Sequence, residues 1–299
     1  MNEHVRVVEV GPRDGLQNEQ AIVPTAIKIE LIERLAACGY DTVEATSFVS
    51  PKWIPQLADA EAVMHGLRRR PGVRYPVLVP NLQGYACARA AGASEIAVFT
   101  AASEAFNQKN INASIDESIA RFEPVLTQAL ADGVTVRGYV STVLGCPYQG
   151  EVPLRDVVRV AARLHALGCG EISLGDTIGV GTPAKARTML RAVADAVPMT
   201  ALAVHFHDTY GQALANILAC LEEGVRVIDA AVAGTGGCPY ARGASGNVAS
   251  EDVIYMLHGM GLHTGVDLDA LVASGHWLAA QLGRVTGSRV GRARAAETA

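Results

Sequence analysis

The sequence predicts an α/β protein: a closed (β/α)₈ TIM barrel with an extra helical segment at its C-terminal end. Short β-branched and apolar runs alternate strictly with helical stretches along the chain, the pattern of parallel strands joined by crossover helices. Eight such units are present, the count at which a parallel sheet closes on itself. Polar residues able to do chemistry follow the carboxyl ends of the strands, where barrels of this kind keep their active sites.

The first unit is the strand Val5–Val10 followed by the helix Pro24–Ala37. That helix places Ile27, Leu31, Ile32 and Leu35 on one face and closes at Cys38-Gly39, a glycine being suited to the left-handed turn past a helix end. Thr42–Thr46 then pairs with Leu57–Arg69, Tyr75–Val79 with Gln83–Ala91, and Glu95–Thr100 with Ile115–Ala131. The second half repeats the pattern: Val134–Val140 with Leu154–Leu167, Glu171–Leu174 with Pro183–Ala196, Ala201–His207 with Gly211–Glu223, and Val227–Ala231 with Ser250–Met260. A helix after Asp267 and an Arg-rich stretch from Ser288 lie beyond the repeat. No low-complexity linker divides the chain, so residues 1–287 are expected to form one domain and 288–299 a disordered tail.

With 299 residues, 49% of them hydrophobic, the chain can fill one large barrel, which typically takes about 250 residues. A net charge of −5 argues against nucleic acid as a partner. No apolar run reaches the roughly 18 residues of a membrane helix, and no signal pattern opens the chain, so no membrane association and a cytoplasmic location are expected. The six cysteines include no Cys-x-x-Cys pair, which disfavours a structural zinc site. Cys38, Cys87, Cys169 and Cys220 sit in or beside helical stretches and are expected as core filler. There is no P-loop or dinucleotide-binding glycine pattern.

The carboxyl-end positions are Arg13-Asp14, Glu44, Asn81, Ser103-Glu104, Asp176-Thr177, His205-Phe206-His207-Asp208 and the glycine-rich loop Gly234–Asn247, whereas no comparable set is expected at the amino ends. In the seventh strand, alternation puts Ala201, Ala203, His205 and His207 on one inward face. Two imidazoles converging above small alanines point to a metal ion. Asp14 and Asn247 offer oxygen from neighbouring loops, and a carboxylate, an amide and two imidazoles suit six-coordinate Mg²⁺ or Mn²⁺ better than zinc. A His₂–carboxylate iron site is a lesser alternative. Asn247 fits equally well as the N-cap of the helix it precedes. Glu44 shares the inward face with Thr42 and Thr46, and its natural partner is Arg13, in either a structural or a functional pair. A cysteine amid the loop glycines, Cys238, is hard to explain by packing, but the same Cys-Pro-Tyr triplet occurs at Cys146. Spacing does not choose between them.

Four motifs carry a resemblance. Gly11-Pro-Arg-Asp-Gly-Leu-Gln17, Ser173-Leu-Gly-Asp-Thr177, His205-Phe-His-Asp-Thr-Tyr-Gly211 and Gly236-Gly-Cys-Pro-Tyr-Ala-Arg-Gly-Ala-Ser-Gly-Asn247 resemble the 3-hydroxy-3-methylglutaryl-CoA lyase family from about Val5 to Leu282. The first and third are shared with isopropylmalate and homocitrate synthases; the Gly-Cys-Pro loop resembles the lyases. The resemblance implies Asp14, His205, His207 and Asn247 as ligands of a divalent metal. It implies Arg13, Glu44, Asp176 and Cys238 as catalytic residues, with Arg13 and Thr177 touching substrate. It also implies a homodimer that takes an acyl-CoA.

The activity so implied is retro-Claisen cleavage of 3-hydroxy-3-methylglutaryl-CoA to acetyl-CoA and acetoacetate, as in leucine degradation. Its difficulty is the tertiary alcohol, which lies about ten pKa units, or about 14 kcal/mol, above a carboxylate base; a chelating metal narrows that gap. A lyase for a longer-branched 3-hydroxyglutaryl-CoA would share every motif. A condensing synthase acting on acetyl-CoA and a 2-oxo acid is disfavoured by the Gly-Cys-Pro loop. Lys52 and Lys109 are candidates to meet the CoA nucleotide.

Overall fold

The computed structural model describes residues 3–237 and 246–297. Among these, eight parallel strands make one sheet: β1 (Arg6–Glu9), β2 (Thr46–Ser47), β3 (Val77–Leu78), β4 (Glu95–Ala101), β5 (Thr135–Ser141), β6 (Glu171–Asp176), β7 (Leu202–Phe206) and β8 (Val227–Ala230). Neighbours in sequence are neighbours in the sheet, and β1 pairs with β8. The bonds Glu9 N to Thr42 O (3.1 Å) and Glu44 N to Glu9 O (2.8 Å) join β1 to the segment leading into β2. The sheet is therefore closed, as the sequence predicts. β2 and β3 are shorter than expected because Pro76 lacks the N–H that a continuous ladder needs.

The helices are α1 (Thr25–Ala37), α2 (Ala60–Gly66), α3 (Leu82–Ala90), α4 (Glu104–Ile111), α5 (Ile115–Ala131), α6 (Leu154–Ala166), α7 (Pro183–Ala194), α8 (Ala213–Glu222), α9 (Ser250–Gly259), α10 (Leu268–Gln281) and α11 (Arg289–Glu297). The expected core face of α1 is present: Leu31, Ile32 and Leu35 are fully buried, with Ile27 packed at its edge. α5 starts where the sequence places it, because Ser114 and Glu117 form a reciprocal capping box. α4 is an addition to the eight-unit pattern. Ser103 caps it by accepting from Phe106 N at 3.2 Å, and Asn112 ends it in a left-handed conformation, φ 48°.

Three expectations are corrected. Residues 288–299 are not all a disordered tail, since Arg289–Glu297 is helical. The Asp252 carboxylate on α9 accepts from Ser288 Oγ (2.7 Å), Arg289 N (3.1 Å) and Val290 N (2.9 Å), and Ser288 Oγ itself accepts from Gly291 N (2.9 Å), so the first turn of the helix is capped from both sides. Cys87 is exposed rather than core filler, whereas Cys38, Cys169 and Cys220 are buried. The amino-end half of the barrel does carry a polar set. Alternation turns Arg6, Glu95, Arg137 and Glu171 inward, where Glu171 pairs with Arg6 and with Arg137 Nε (2.8 Å), and Arg74 lies 3.6 Å from Glu95. Opposite charges at that depth offset one another's desolvation. Beside them, Val8, Val10, Ala203, Val227 and Ala231 form a small apolar cluster that runs from the level of Arg6 up towards the mouth.

Candidate active site

The first loop leaves β1 as a single π-helical turn, Gly11–Gly15, in which Asp14 N and Gly15 N both return to Val10 O (2.8 and 3.1 Å). Wide turns of this type recur at functional sites. Glu9 anchors it by accepting from Gly11 N (2.8 Å), Val232 N (2.9 Å) and Ser250 Oγ (2.6 Å), tying the loops after β1 and β8 to one buried carboxylate. Burial pushes that carboxyl up to about 7 against these bonds. The turn carries Arg13 and Asp14 over the mouth.

His205 and His207 project from the inward face of the seventh strand as alternation requires, their ring centroids 5.5 Å apart. Ligand atoms of Asp14, His205 and His207 all lie within 4.8 Å of one another. His205 Nε2 stands 3.8 Å from Asp14 Oδ2, and His207 Nδ1 is buried with no hydrogen-bond partner among the described residues. A buried imidazole nitrogen left uncommitted beside a carboxylate fits a cation-binding role, since buried polar atoms are otherwise satisfied. Burial, then the neighbouring His205, lowers the His207 pKa to about 4, which keeps its lone pair free. Burial opposes ionisation of Asp14, but Arg13 and the histidines hold its carboxyl well below the usual range.

Asn247 is not a helix cap. The N-cap of α9 is Ala249, and no side chain caps that helix. Instead the Asn247 amide reaches Asp14 Oδ2 (2.8 Å) and Thr235 O (3.2 Å), and its backbone bridges to His207. A half-turn of the amide about its last bond would offer the oxygen to the same point, the two ends being nearly isosteric.

Arg13, only 6% exposed, donates from Nε to Glu44 Oε2 (2.8 Å) and from Nη1 to Asp14 Oδ1 (2.8 Å). Its guanidinium also lies 5.4 Å from the centre of the Tyr139 ring. Burial raises the Glu44 pKa while Arg13 opposes the rise, and Glu44 Oε1 is buried without a partner among the described residues.

The structure thus gathers Arg13, Asp14, Glu44, His205, His207 and Asn247 at one mouth. Asp176 is not turned into that group. Its carboxylate accepts from Gly181 N (2.8 Å) and Val180 N (3.2 Å), fixing the loop after β6, and burial lifts it to about 6. On β6 it is Ser173 that bonds inward, to Asp229, so alternation aims the next-but-two side chain, Asp176, outward. Thr177 Oγ1 accepts from Thr142 N (2.8 Å) and steadies Thr142 at φ 62°. Cys238 lies outside the described residues. Cys146, its sequence rival, is buried and receives the Ser103 hydroxyl at 3.0 Å. Sequence reasoning missed Arg137, Tyr139 and Asp229. The signal was available as alternation: an acid within the apolar run Val227–Ala230, and Arg137 with Tyr139 on one face of the fifth strand.

A closed parallel barrel whose carboxyl-end mouth joins a carboxylate and two imidazoles to a buried Arg–Glu pair is the arrangement of a TIM-barrel enzyme with a candidate divalent-cation site. Comparison narrows this class. Residues 4–277 match the HMGL-like family model. The chain is 60% identical to the mouse protein named "3-hydroxy-3-methylglutaryl-CoA lyase, cytoplasmic", across 97% of this chain and 85% of that one. It is 59% identical to the cattle protein named "Hydroxymethylglutaryl-CoA lyase, mitochondrial", across 97% and 90%. Its fold superposes on the crystal structure of hydroxymethylglutaryl-CoA lyase from Pseudomonas aeruginosa with a TM-score of 0.97, 57% identity and 99% of each chain covered. The chain belongs to the HMGL-like family.

Proposed function

We propose that the protein cleaves 3-hydroxy-3-methylglutaryl-CoA to acetyl-CoA and acetoacetate. The observation that carries this reading is that one barrel mouth holds both a buried imidazole nitrogen on His207 and a buried carboxylate oxygen on Glu44 that have no hydrogen-bond partner among the described residues. Likeness over nearly the whole chain to enzymes named for that substrate supports it.

Asp14, His205, His207 and Asn247 would hold Mg²⁺ or Mn²⁺, a choice favoured by the mixture of hard oxygen and imidazole donors. When bound, such a cation supplies acidification of a chelated hydroxyl. Glu44 is the base in this reading. Its burial-raised pKa narrows the gap to the alcohol, and Oε1 is free to take the hydroxyl proton. The electron pair left on oxygen forms the ketone of acetoacetate as the bond from the carbinol carbon to the thioester-bearing CH₂ breaks. The bond's electrons pass to the thioester enolate. Arg13 donates to that enolate oxygen, where one well-placed donor is worth about 2.7–4 kcal/mol. Cys238 delivers the proton that converts the enolate carbon to the methyl of acetyl-CoA, its loop excluding water. Asp176 acts by holding the loop that carries Thr177 beside the substrate.

In this reading the barrel with α10, residues 1–287, is one catalytic domain, and the enzyme is a cytoplasmic homodimer in a leucine-degradation step. Among the described residues no helix is long and apolar enough to cross a membrane. The test is acetoacetate release from 3-hydroxy-3-methylglutaryl-CoA by purified protein, before EDTA, after EDTA and after Mg²⁺ or Mn²⁺ is restored. Activity should vanish and return. Full-speed cleavage by metal-free protein would discard the metal's role, and no acetoacetate under any condition would discard the substrate.

A further inference from the structure

His205 is tied from behind. Its Nδ1 lies 3.1 Å from Asp229 Oδ2, leaving Nε2 to face Asp14. Asp229 stands on β8, 1% exposed, and is itself held on both oxygens: Ser173 Oγ donates to Oδ2 at 2.8 Å, and Arg137 Nη2 to Oδ1 at 2.6 Å. Arg137 in turn pairs with Glu171, and Glu171 with Arg6. A ladder of alternating charges thus runs inside the barrel from its amino end up to one histidine at the mouth.

We propose that Asp229 is a positioning residue that fixes the tautomer and ring orientation of His205, with Arg137 and Ser173 clamping its carboxylate. This inference rests on the metal-site reading of Asp14, His205, His207 and Asn247. A neutral imidazole carries one proton, and an ionised carboxylate can only accept. Contact with Asp229 therefore puts that proton on Nδ1 and leaves the Nε2 lone pair bare, aimed where Asp14 already points. Such carboxylate–imidazole pairs orient metal ligands generally, and their loss weakens metal binding about 10- to 100-fold.

The two imidazoles differ in what the described residues offer them: Asp229 bonds His205 at Nδ1, whereas His207 Nδ1 is buried with no partner among those residues. A purely structural Asp229, present only to neutralise Arg137, would affect folding and leave the metal affinity of folded protein unchanged.

The experiment titrates metal-free, full-length protein with Mn²⁺, following free Mn²⁺ by its EPR signal, for wild type, Asp229→Asn and Ser173→Ala. In parallel, ¹⁵N NMR of the imidazoles in metal-free wild type, at a pH alkaline enough for neutral rings, reads the His205 tautomer. Asp229→Asn should bind Mn²⁺ about 10- to 100-fold more weakly than wild type, Ser173→Ala should fall between them, and His205 should be protonated at Nδ1. Equal affinity of folded Asp229→Asn, or a His205 proton on Nε2, overturns the inference alone. Wild type that binds no Mn²⁺ overturns the metal reading, and this inference with it. If Asp229→Asn does not fold, Ser173→Ala and the tautomer decide: unchanged affinity or an Nε2 proton counts against the proposal.

Discussion

Arg13 Nε donates to Glu44 Oε2 at 2.8 Å, and the opposite oxygen of that carboxylate, Oε1, stays buried with no hydrogen-bond partner among the described residues. One end of Glu44 is anchored and the other is available, within a site where burial makes the carboxyl hold its proton more readily than in water. Because Arg13 also binds Asp14 Oδ1, a single guanidinium sets the spacing between the proposed base and a proposed metal ligand.

Arg13→Gln should therefore lower turnover by about 100- to 1,000-fold, the usual loss when one donor to a developing oxyanion is removed. Mn²⁺ binding should persist, since none of the four proposed ligands is changed. Steady-state acetoacetate release and metal titration on the same preparation check both halves. Turnover equal to wild type would remove Arg13 from the reaction.

Asp176→Ala leaves the N–H groups of Val180 and Gly181 without their acceptor. Loop displacement of this kind should cost about 10- to 100-fold in turnover, with Mn²⁺ affinity close to wild type because the carboxylate bonds backbone and not the ligand cluster. Metal affinity that falls in step with turnover would place Asp176 in the ligand set after all.

Glu9 and Glu251 give the fold a pH dependence. Burial raises Glu9 from 4.5 to about 7 and Glu251 from 4.5 to about 8. The native state then holds protons that the unfolded chain has released, so the stabilisation is complete below about 4.5 and is lost as pH rises through 7 and 8. His207, lowered from 6.5 to about 4, acts oppositely but only below 6.5. Tm should fall between pH 6.5 and 8.5, at no more than about 1.4 kcal/mol per pH unit for each group. Glu251→Gln should flatten the fall, and a Tm that rises across this window would contradict the assignment.

The clamp on α11 should be measurable as stability. Asp252→Ala removes the acceptor shared by Ser288 Oγ, Arg289 N and Val290 N, at about 1–3 kcal/mol for each donor left bare and buried. In a chain of this size, each 1 kcal/mol lowers Tm by about 2–4 °C. Limited proteolysis should then cut near Ser288 sooner than in wild type. Unchanged melting and cleavage would show α11 to be held by other contacts.

Much of the fold was legible because it is written in local periodicity. The α1 face Leu31, Ile32 and Leu35 and the start of α5 at Ile115 follow from spacing and capping residues that stand next to one another in the chain. α4 was less visible, since a short helix inside a crossover leaves little apolar pattern and its Ser103 cap also reads as a loop residue. The pair of histidines was legible for the same reason as the helices: alternation along one strand fixes where both point.

The barrel and the inward aim of His205 and His207 were readable from the chain alone, and the family resemblance named Asp14, Arg13 and Glu44 as their companions. That Asn247 faces Asp14 instead of capping α9, that Asp176 secures a loop, and that Asp229 stands behind His205 emerged from the three-dimensional packing. Direction along one strand or helix is set by neighbouring residues. Which acceptor a side chain finds across the barrel depends on strand register and closure, which join residues as distant as His205 and Asp229, or Asp14 and Asn247.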